Sequence, residues 1–258
     1  MLLAMRTSRI LRNGISALLL LIPLAASALE PDWKDYRNLL ENHVSAGKIN
    51  GVALNVVDYD ALKASGEIDK VAAQLSQFPP DKLRTREEKL AFYINAYNIL
   101  AIKMVTDNLP VKSIRSIGSV LSPVWKKPAG SLGGKIVTLH EVEHEILRPM
   151  GEPRIHFAIV CASVSCPDLS KEPYTAASLN AQLDKQTGLF LANSGKGLRA
   201  GQGQVSVSRI FDWFSTDFEK EGGVEGFIRR YKPDLPGNAK IRTNISYDWA
   251  LNARQDLP

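Results

Sequence analysis

The sequence predicts an α+β domain, a mixed α/β arrangement in which one buried central helix packs on a small sheet. Three observations point there. Residues 90–105 are apolar nearly all round, interrupted only by Asn95, Asn98 and Lys103, and a helix apolar on every face belongs in a core. Short β-branched runs stand at 52–59, 135–137, 205–207 and 241–245. Helical and strand-like stretches alternate irregularly, without an internal repeat or an evident linker, which favours a single mixed domain over regular βαβ winding.

The elements follow in order. Residues 1–28 read as an export signal: Arg6, Arg9 and Arg12 are positive, residues 15–24 are apolar, and Ala26-Ser27-Ala28 suits a signal peptidase cutting after Ala28. The apolar run is shorter than the roughly 18–20 residues a bilayer span needs, so no membrane span is expected after cleavage. A lipoprotein is excluded, because the cysteines are Cys161 and Cys166. The expected mature chain, 29–258, is periplasmic or secreted and forms one globular domain. Without the three signal arginines the 32 basic residues fall to 29 against 27 acids, a net charge of +2. That near-neutral balance carries no nucleic-acid footprint.

An amphipathic helix is expected over 33–46, ending at Gly47, then a strand over 52–59. A polar helix follows to Pro79-Pro80. The long helix covers 85–107, with a loop region at 118–134 and a short strand at 135–137. Thr138 with Glu141 has capping-box spacing for the next helix, which ends at Pro149. Residues 155–161 (IHFAIVC) have strand length and composition. On that reading His156 faces away from Cys161 and is a core or supporting residue. Residues 175–191 and 210–218 read as helices, and Trp213, Phe214 and Phe218 as core packing. The Gly-rich stretch 195–203 lacks phosphate-loop spacing, so no cofactor is expected.

Three of the four histidines, His140, His144 and His156, lead up to Cys161. His140-Glu-Val-Glu-His144 matches H-E-x-x-H, which can hold zinc with the glutamate as base. Against that, at about 100° per residue Leu139, Val142 and Ile146 form the buried stripe and Glu143, not Glu141, lies inside it. A carboxylate there must orient a histidine or pair with an arginine such as Arg148 or Arg154. Cys161 ends the expected strand at a small-residue turn, where free backbone amides suit an oxyanion. A thiolate with a histidine held by an acid is a general acyl-transfer device. The other reading of Cys161 and Cys166 is a small-loop disulfide. Asn95 and Asn98, poor residues for a helix interior, either orient a reacting group or tie down neighbouring backbone.

Phe92-Tyr-Ile-Asn-Ala-Tyr-Asn98, Leu139-His-Glu-Val-Glu-His-Glu-Ile-Leu-Arg148, Arg154-Ile-His-Phe-Ala-Ile-Val-Cys161, Cys166-Pro167, Pro173-Tyr174-Thr175 and Phe211-Asp-Trp-Phe-Ser-Thr-Asp-Phe218 occur in that order. Together they resemble the family catalogued as domain of unknown function 547, over about residues 85–221. Its pattern is similar to F-[WY]-I-N-x-Y-N, I-E-H-x-I-L-R and H-F-A-L-x-C-[GA]-[SA]. The chain departs at Val142, where isoleucine is usual, and at Ala162, often glycine. The resemblance implies an exported or soluble domain without an established reaction. It places Glu143, His144 and Cys161 inside the family pattern and His140 outside it. It also implies that a Cys161–Cys166 disulfide is not obligatory, since some members have serine at the second position.

The expectation is a cysteine-dependent hydrolase or acyl transferase acting on a small molecule or peptide. Cys161 would be nucleophile, His144 base and Glu143 orienting acid, with Asn95 in the pocket and Asn98, His156 and Cys166 supporting the site. A non-catalytic binding domain with a structural Cys161–Cys166 pair is the alternative, and a zinc protein using His140 and His144 a second.

Overall fold

The first helix, α1 (Lys34–His43), stops earlier than its periodicity suggests, and a strand pairing is the reason. Strand β1 (Val44–Ile49) pairs antiparallel with β2 (Val52–Val57). Between them Asn50 and Gly51 both have positive φ, 50° and 83°, the two-residue turn that Asn-Gly favours. The computed structural model describes residues 30–201 and 203–254, so the expected signal segment and its cleavage point lie outside the described residues.

The expected polar helix is two, α2 (Tyr59–Ser65) and α3 (Glu67–Gln77), hinged at Gly66 in the left-handed region. The central helix α4 (Arg86–Asp107) is as expected. Thr85 Oγ1 accepts from Glu88 N and the Glu88 carboxylate accepts from Thr85 N, at 3.1 and 3.0 Å. This closes a capping box. Thr85→Ala is expected to cost about 1 kcal/mol, a fall of about 2–4 °C in Tm for a chain of this size, read by thermal denaturation. From Leu90 to Val105 the helix is buried on nearly every side.

A 3-10 turn at Ile114–Ile117 precedes the 118–134 region, which holds another at Val124–Lys126 and the first strand of a hairpin, β3 (Pro128–Leu132) with β4 (Lys135–Thr138). The helix expected over 175–191 starts late, as α5 (Leu179–Ala192). The preceding backbone is held by Gln182, which bonds Thr175 N and Pro173 O. The last sheet has order β5 (Leu198–Ala200), β6 (Gln204–Ser208), β7 (Lys240–Ile245), with β5–β6 antiparallel and β6–β7 parallel. Between β6 and β7 lie α6 (Ile210–Trp213), a 3-10 segment Ser215–Glu221 and α7 (Gly223–Tyr231). The helix expected over 210–218 is thus broken at Phe214.

The strand expected over 155–161 does not form. Pro153–Phe157 is a 3-10 turn, and no strand among the described residues pairs with it. The polar backbone beyond it is satisfied by a side chain instead: Asn98 donates to Ala158 O at 2.9 Å and accepts from Val160 N at 2.8 Å. Residues 155–160 are buried whatever their parity, so alternation had no face to report.

Two main apolar cores result among the described residues, beside a small cluster of Ile49, Leu54, Val56 and Val164. The larger surrounds α4. The smaller is aromatic, with Phe157, Phe190, Phe211, Phe218 and Phe227 in mutual contact. No helix among the described residues is long and apolar enough to cross a membrane.

Candidate active site

Thr138 and Glu141 cap each other as their spacing implies: Thr138 N donates to Glu141 Oε2 at 2.7 Å and Glu141 N to Thr138 Oγ1 at 3.0 Å. Beyond this cap the backbone is a π-helix, Glu141–Leu147, tightening into a 3-10 turn at Arg148–Met150. Such i→i+5 turns are rare and often mark functional positions. The wider period buries Val142 and Leu147, five residues apart, whereas Ile146 is only half-buried. Glu143 and His144 are left facing a cavity.

That cavity, about 370 Å³, lies within the roughly 300–1,000 Å³ usual for small-molecule sites. It opens at the seam of the two cores. Tyr97, Trp125, Ile159, Cys161 and Cys166 come from the larger side; Ile210, Phe214 and Tyr247 from the smaller, with Trp213 and Trp249 at the rim. Trp213 stacks on Trp249 with ring centroids 5.8 Å apart, and Tyr247 touches both. The reading of Trp213 as plain core packing is therefore corrected, since it is 42% exposed wall, whereas Phe214 packs on the smaller core and lines the cavity as well.

Charge is arranged behind this aromatic lining. Asp217 accepts from Arg148 Nε and Nη2 at 2.7 and 2.8 Å and from His156 Nε2 at 2.7 Å. Burial works against the Asp217 anion, but the hydrogen bonds from Arg148 and His156 overcome it and hold its pKa well below the usual carboxylate range. Burial lowers the pKa of His156 against the pull of Asp217, so at neutral pH the ring is uncharged and its Nε2–H donates. Arg148 Nη1 also reaches His144 Nδ1 at 2.8 Å. A guanidinium only donates, so His144 Nδ1 is the acceptor and the neutral ring carries its proton on Nε2. Burial, helped by the cations around it, lowers the His144 pKa to about 4.

Glu143 does not bond His144. Its Oε2 accepts from Tyr97 Oη at 3.3 Å, and burial raises its pKa to about 7 against the opposing effects of Tyr97 and Arg148. The contacts differ from the expected pairing: Arg148, not Glu143, bonds His144, and Glu143 has its pKa raised toward neutrality. Arg154, the other arginine offered as partner, is engaged by Glu152 and Asp184.

Cys161 and Cys166 are joined by a disulfide, Cα–Cα 6.1 Å. Cys161 Sγ lies 3.2 Å from both Ser163 Oγ and Tyr247 Oη, and Cys161 N and Tyr247 Oη donate to Cys166 Sγ. Ala162 between them has φ 58°, a left-handed conformation that favours glycine. This explains physically why glycine suits that position.

Of the sequence-derived candidates, the cavity gathers Cys161, Cys166, Glu143, His144 and His156. His156 is not turned away from Cys161, because the strand that implied it is absent. Asn95 lies elsewhere: it donates to Tyr174 O and accepts from Tyr174 N, at 2.8 and 2.9 Å. Asn98 likewise serves backbone. In the H-E-x-x-H reading, Glu141 is spent on the cap, and His144 packs on His140 in a tilted arrangement with centroids 4.5 Å apart. Among the described residues no group of three or more His, Cys, Asp or Glu stands together to hold a metal ion. Sequence reasoning passed over Tyr97 and Asp217, although both sit inside the motifs already singled out. Tyr247 and Trp249 carried no local signal.

Residues 80–191 match the model of a family described as "Protein of unknown function, DUF547". The match contains Glu143, His144 and both cysteines; the Trp213–Asp217 and Tyr247–Trp249 parts of the site fall beyond it. Neither the curated proteins nor the solved structures compared with the chain contain a match. The match over residues 80–191, and the motifs within them, supports the resemblance to the DUF547 family.

Proposed function

We propose that the cavity is the active site of a cysteine-dependent hydrolase or acyl transferase whose working form has Cys161 reduced. The observation that carries this is the convergence of Cys161, Glu143 and His144 on one aromatic-walled cavity. After reduction the Cys161 thiol loses its proton to Glu143, whose pKa of about 7 suits a base at neutral pH. The thiolate attacks the carbonyl carbon of an ester, thioester or amide. The neutral His144, its proton on Nε2, donates to the developing oxyanion together with the hydroxyls beside Cys161. Collapse expels the leaving group, which takes the proton from Glu143, and water or a second acceptor then removes the acyl group. The tryptophans and Phe214 provide an apolar wall for a small-molecule or peptide acyl donor. Export, expected from residues 1–28, belongs to the same proposal: an oxidising compartment keeps the disulfide closed until a dithiol reductant opens it.

The second reading is a ligand-binding domain in which the disulfide is purely structural. It is favoured by the bond between the two sulfurs, which leaves Cys161 without a free thiol.

One experiment separates them. The protein is treated with p-nitrophenyl butyrate with and without a dithiol reductant, and acylated peptides are located by mass spectrometry. The first reading expects an acyl adduct on Cys161 only after reduction, none in Cys161→Ala, and a rate lowered about 100-fold or more in Glu143→Gln. No adduct on reduced protein, with a normal fold, establishes the second reading instead.

A further inference from the structure

We propose that the loop tip at Val120 and Leu121 docks this protein on an anionic lipid surface. Both side chains are 97% exposed, and they are adjacent at the apex of a tight turn. The turn is self-contained: Ser119 N donates to Ser122 O at 2.9 Å and Ser122 N to Ser119 Oγ at 3.0 Å. Its base is pinched, since a Cβ on Gly118 would lie 2.3 Å from Val124 N. Two apolar side chains are thus held outward on a loop braced by its own hydrogen bonds.

Charge selects the partner. From Asn108 to His140 the sequence carries Lys112, Arg115, Lys126, Lys127 and Lys135 and no acid, in a chain with 27 acids. Arg115 belongs to one 3-10 turn flanking the tip and Lys126 to the other. Asp248, next in sequence to Trp249, accepts from Asn50 Nδ2 and Ala250 N, and Asp212, next to Trp213, pairs with Arg209. Apolar residues flanked by cations match a headgroup layer of negative charge. The same segment forms part of the cavity rim, where Trp125 lies against Trp249 and the Arg115 guanidinium stands 5.0 Å over the Trp249 ring. Docking at the tip brings that rim toward the bilayer. The inference does not depend on the chemistry proposed for Cys161.

The test is sedimentation of the protein with vesicles of phosphatidylcholine plus phosphatidylglycerol, and with phosphatidylcholine alone. The expected result is partition onto the anionic vesicles only, weakening as salt rises. Each basic residue near such a surface is worth about five-fold, so Arg115→Glu with Lys126→Glu weakens partition by at least about 25-fold. Val120→Asp with Leu121→Asp weakens it by about ten-fold or more. The tip is solvent-exposed, so this variant keeps the wild-type thermal midpoint. Wild-type protein left in the supernatant overturns the proposal and marks the tip as a contact for another protein. Equal binding to both vesicle types, or undiminished binding by the tip variant, also overturns it.

Discussion

Asn98→Leu is expected to destabilise the protein by about 2–6 kcal/mol, since two buried backbone groups lose their partner at about 1–3 kcal/mol each. Asn98 is 1% exposed, and its amide serves Ala158 O and Val160 N. Leucine has a similar branched shape but is bulkier, so overpacking adds to the loss of hydrogen bonding. The thermal midpoint should fall by roughly 5–20 °C. The damage should reach the site as well, because Val160 directly precedes Cys161 and its N–H anchors that segment to α4. Chemical denaturation gives the free energy, and the rate at which a dithiol opens the Cys161–Cys166 disulfide reports the local effect. A cost below about 1 kcal/mol would show that water replaces the amide at no penalty, and the positioning argument would fail.

Glu143→Gln is expected to remove a pH dependence of stability whose sense is opposite to ordinary acid denaturation. The ordinary pKa of a glutamate carboxyl, 4.5, is raised to about 7 at Glu143 by burial in the fold. The folded protein therefore binds this proton more tightly than the unfolded chain does. Below 4.5 both forms are protonated and the site costs nothing. As pH rises from 4.5 to 7 the unfolded chain releases its proton while the folded one retains it, so stability falls; above 7 the loss is complete. At about 1.36 kcal/mol per unit the full loss is about 3 kcal/mol. Glutamine does not titrate, so the variant should overtake the wild type by about that amount between roughly pH 4 and 8. His144, with its pKa lowered to about 4, acts in the other direction: its contribution is present above its usual value of 6.5 and is lost as pH falls toward 4. Being common to both proteins, it largely cancels in the difference. Denaturant midpoints for the two proteins across this range provide the measurement, and parallel curves would refute a buried, proton-holding Glu143.

Both expectations rest on residues that sequence reasoning identified with only part of their role. The place of α4 was legible because a nearly uninterrupted apolar run from Leu90 to Val105 admits few other arrangements. Asn95 and Asn98 were legible as residues needing partners. Which partners they take was not, since Tyr174, Ala158 and Val160 come near only when the chain folds back on the helix. Residues 155–161 misled for a related reason. A fully buried segment is apolar throughout, and strand and irregular backbone look alike there. The π-turn at Glu141–Leu147 escaped because a wheel drawn for an α-helix assumes the period it is used to find.

By itself the sequence determined the α+β class, the buried helix, the Thr138–Glu141 capping box, the resemblance to the DUF547 family, and the short list Glu143, His144, Cys161 and Cys166. These follow from local causes: composition, periodicity, cap spacing and motif order. Only the tertiary structure decided what those residues do to one another. It joined the two sulfurs, set Arg148 instead of Glu143 against His144, and raised the proton affinity of Glu143. It also brought Tyr247 and Trp249 from the far end of the chain onto the same cavity. Proton affinities and hydrogen-bond partners depend on burial and on distances of a few ångströms between residues far apart in sequence, and those distances exist only once the two cores have packed.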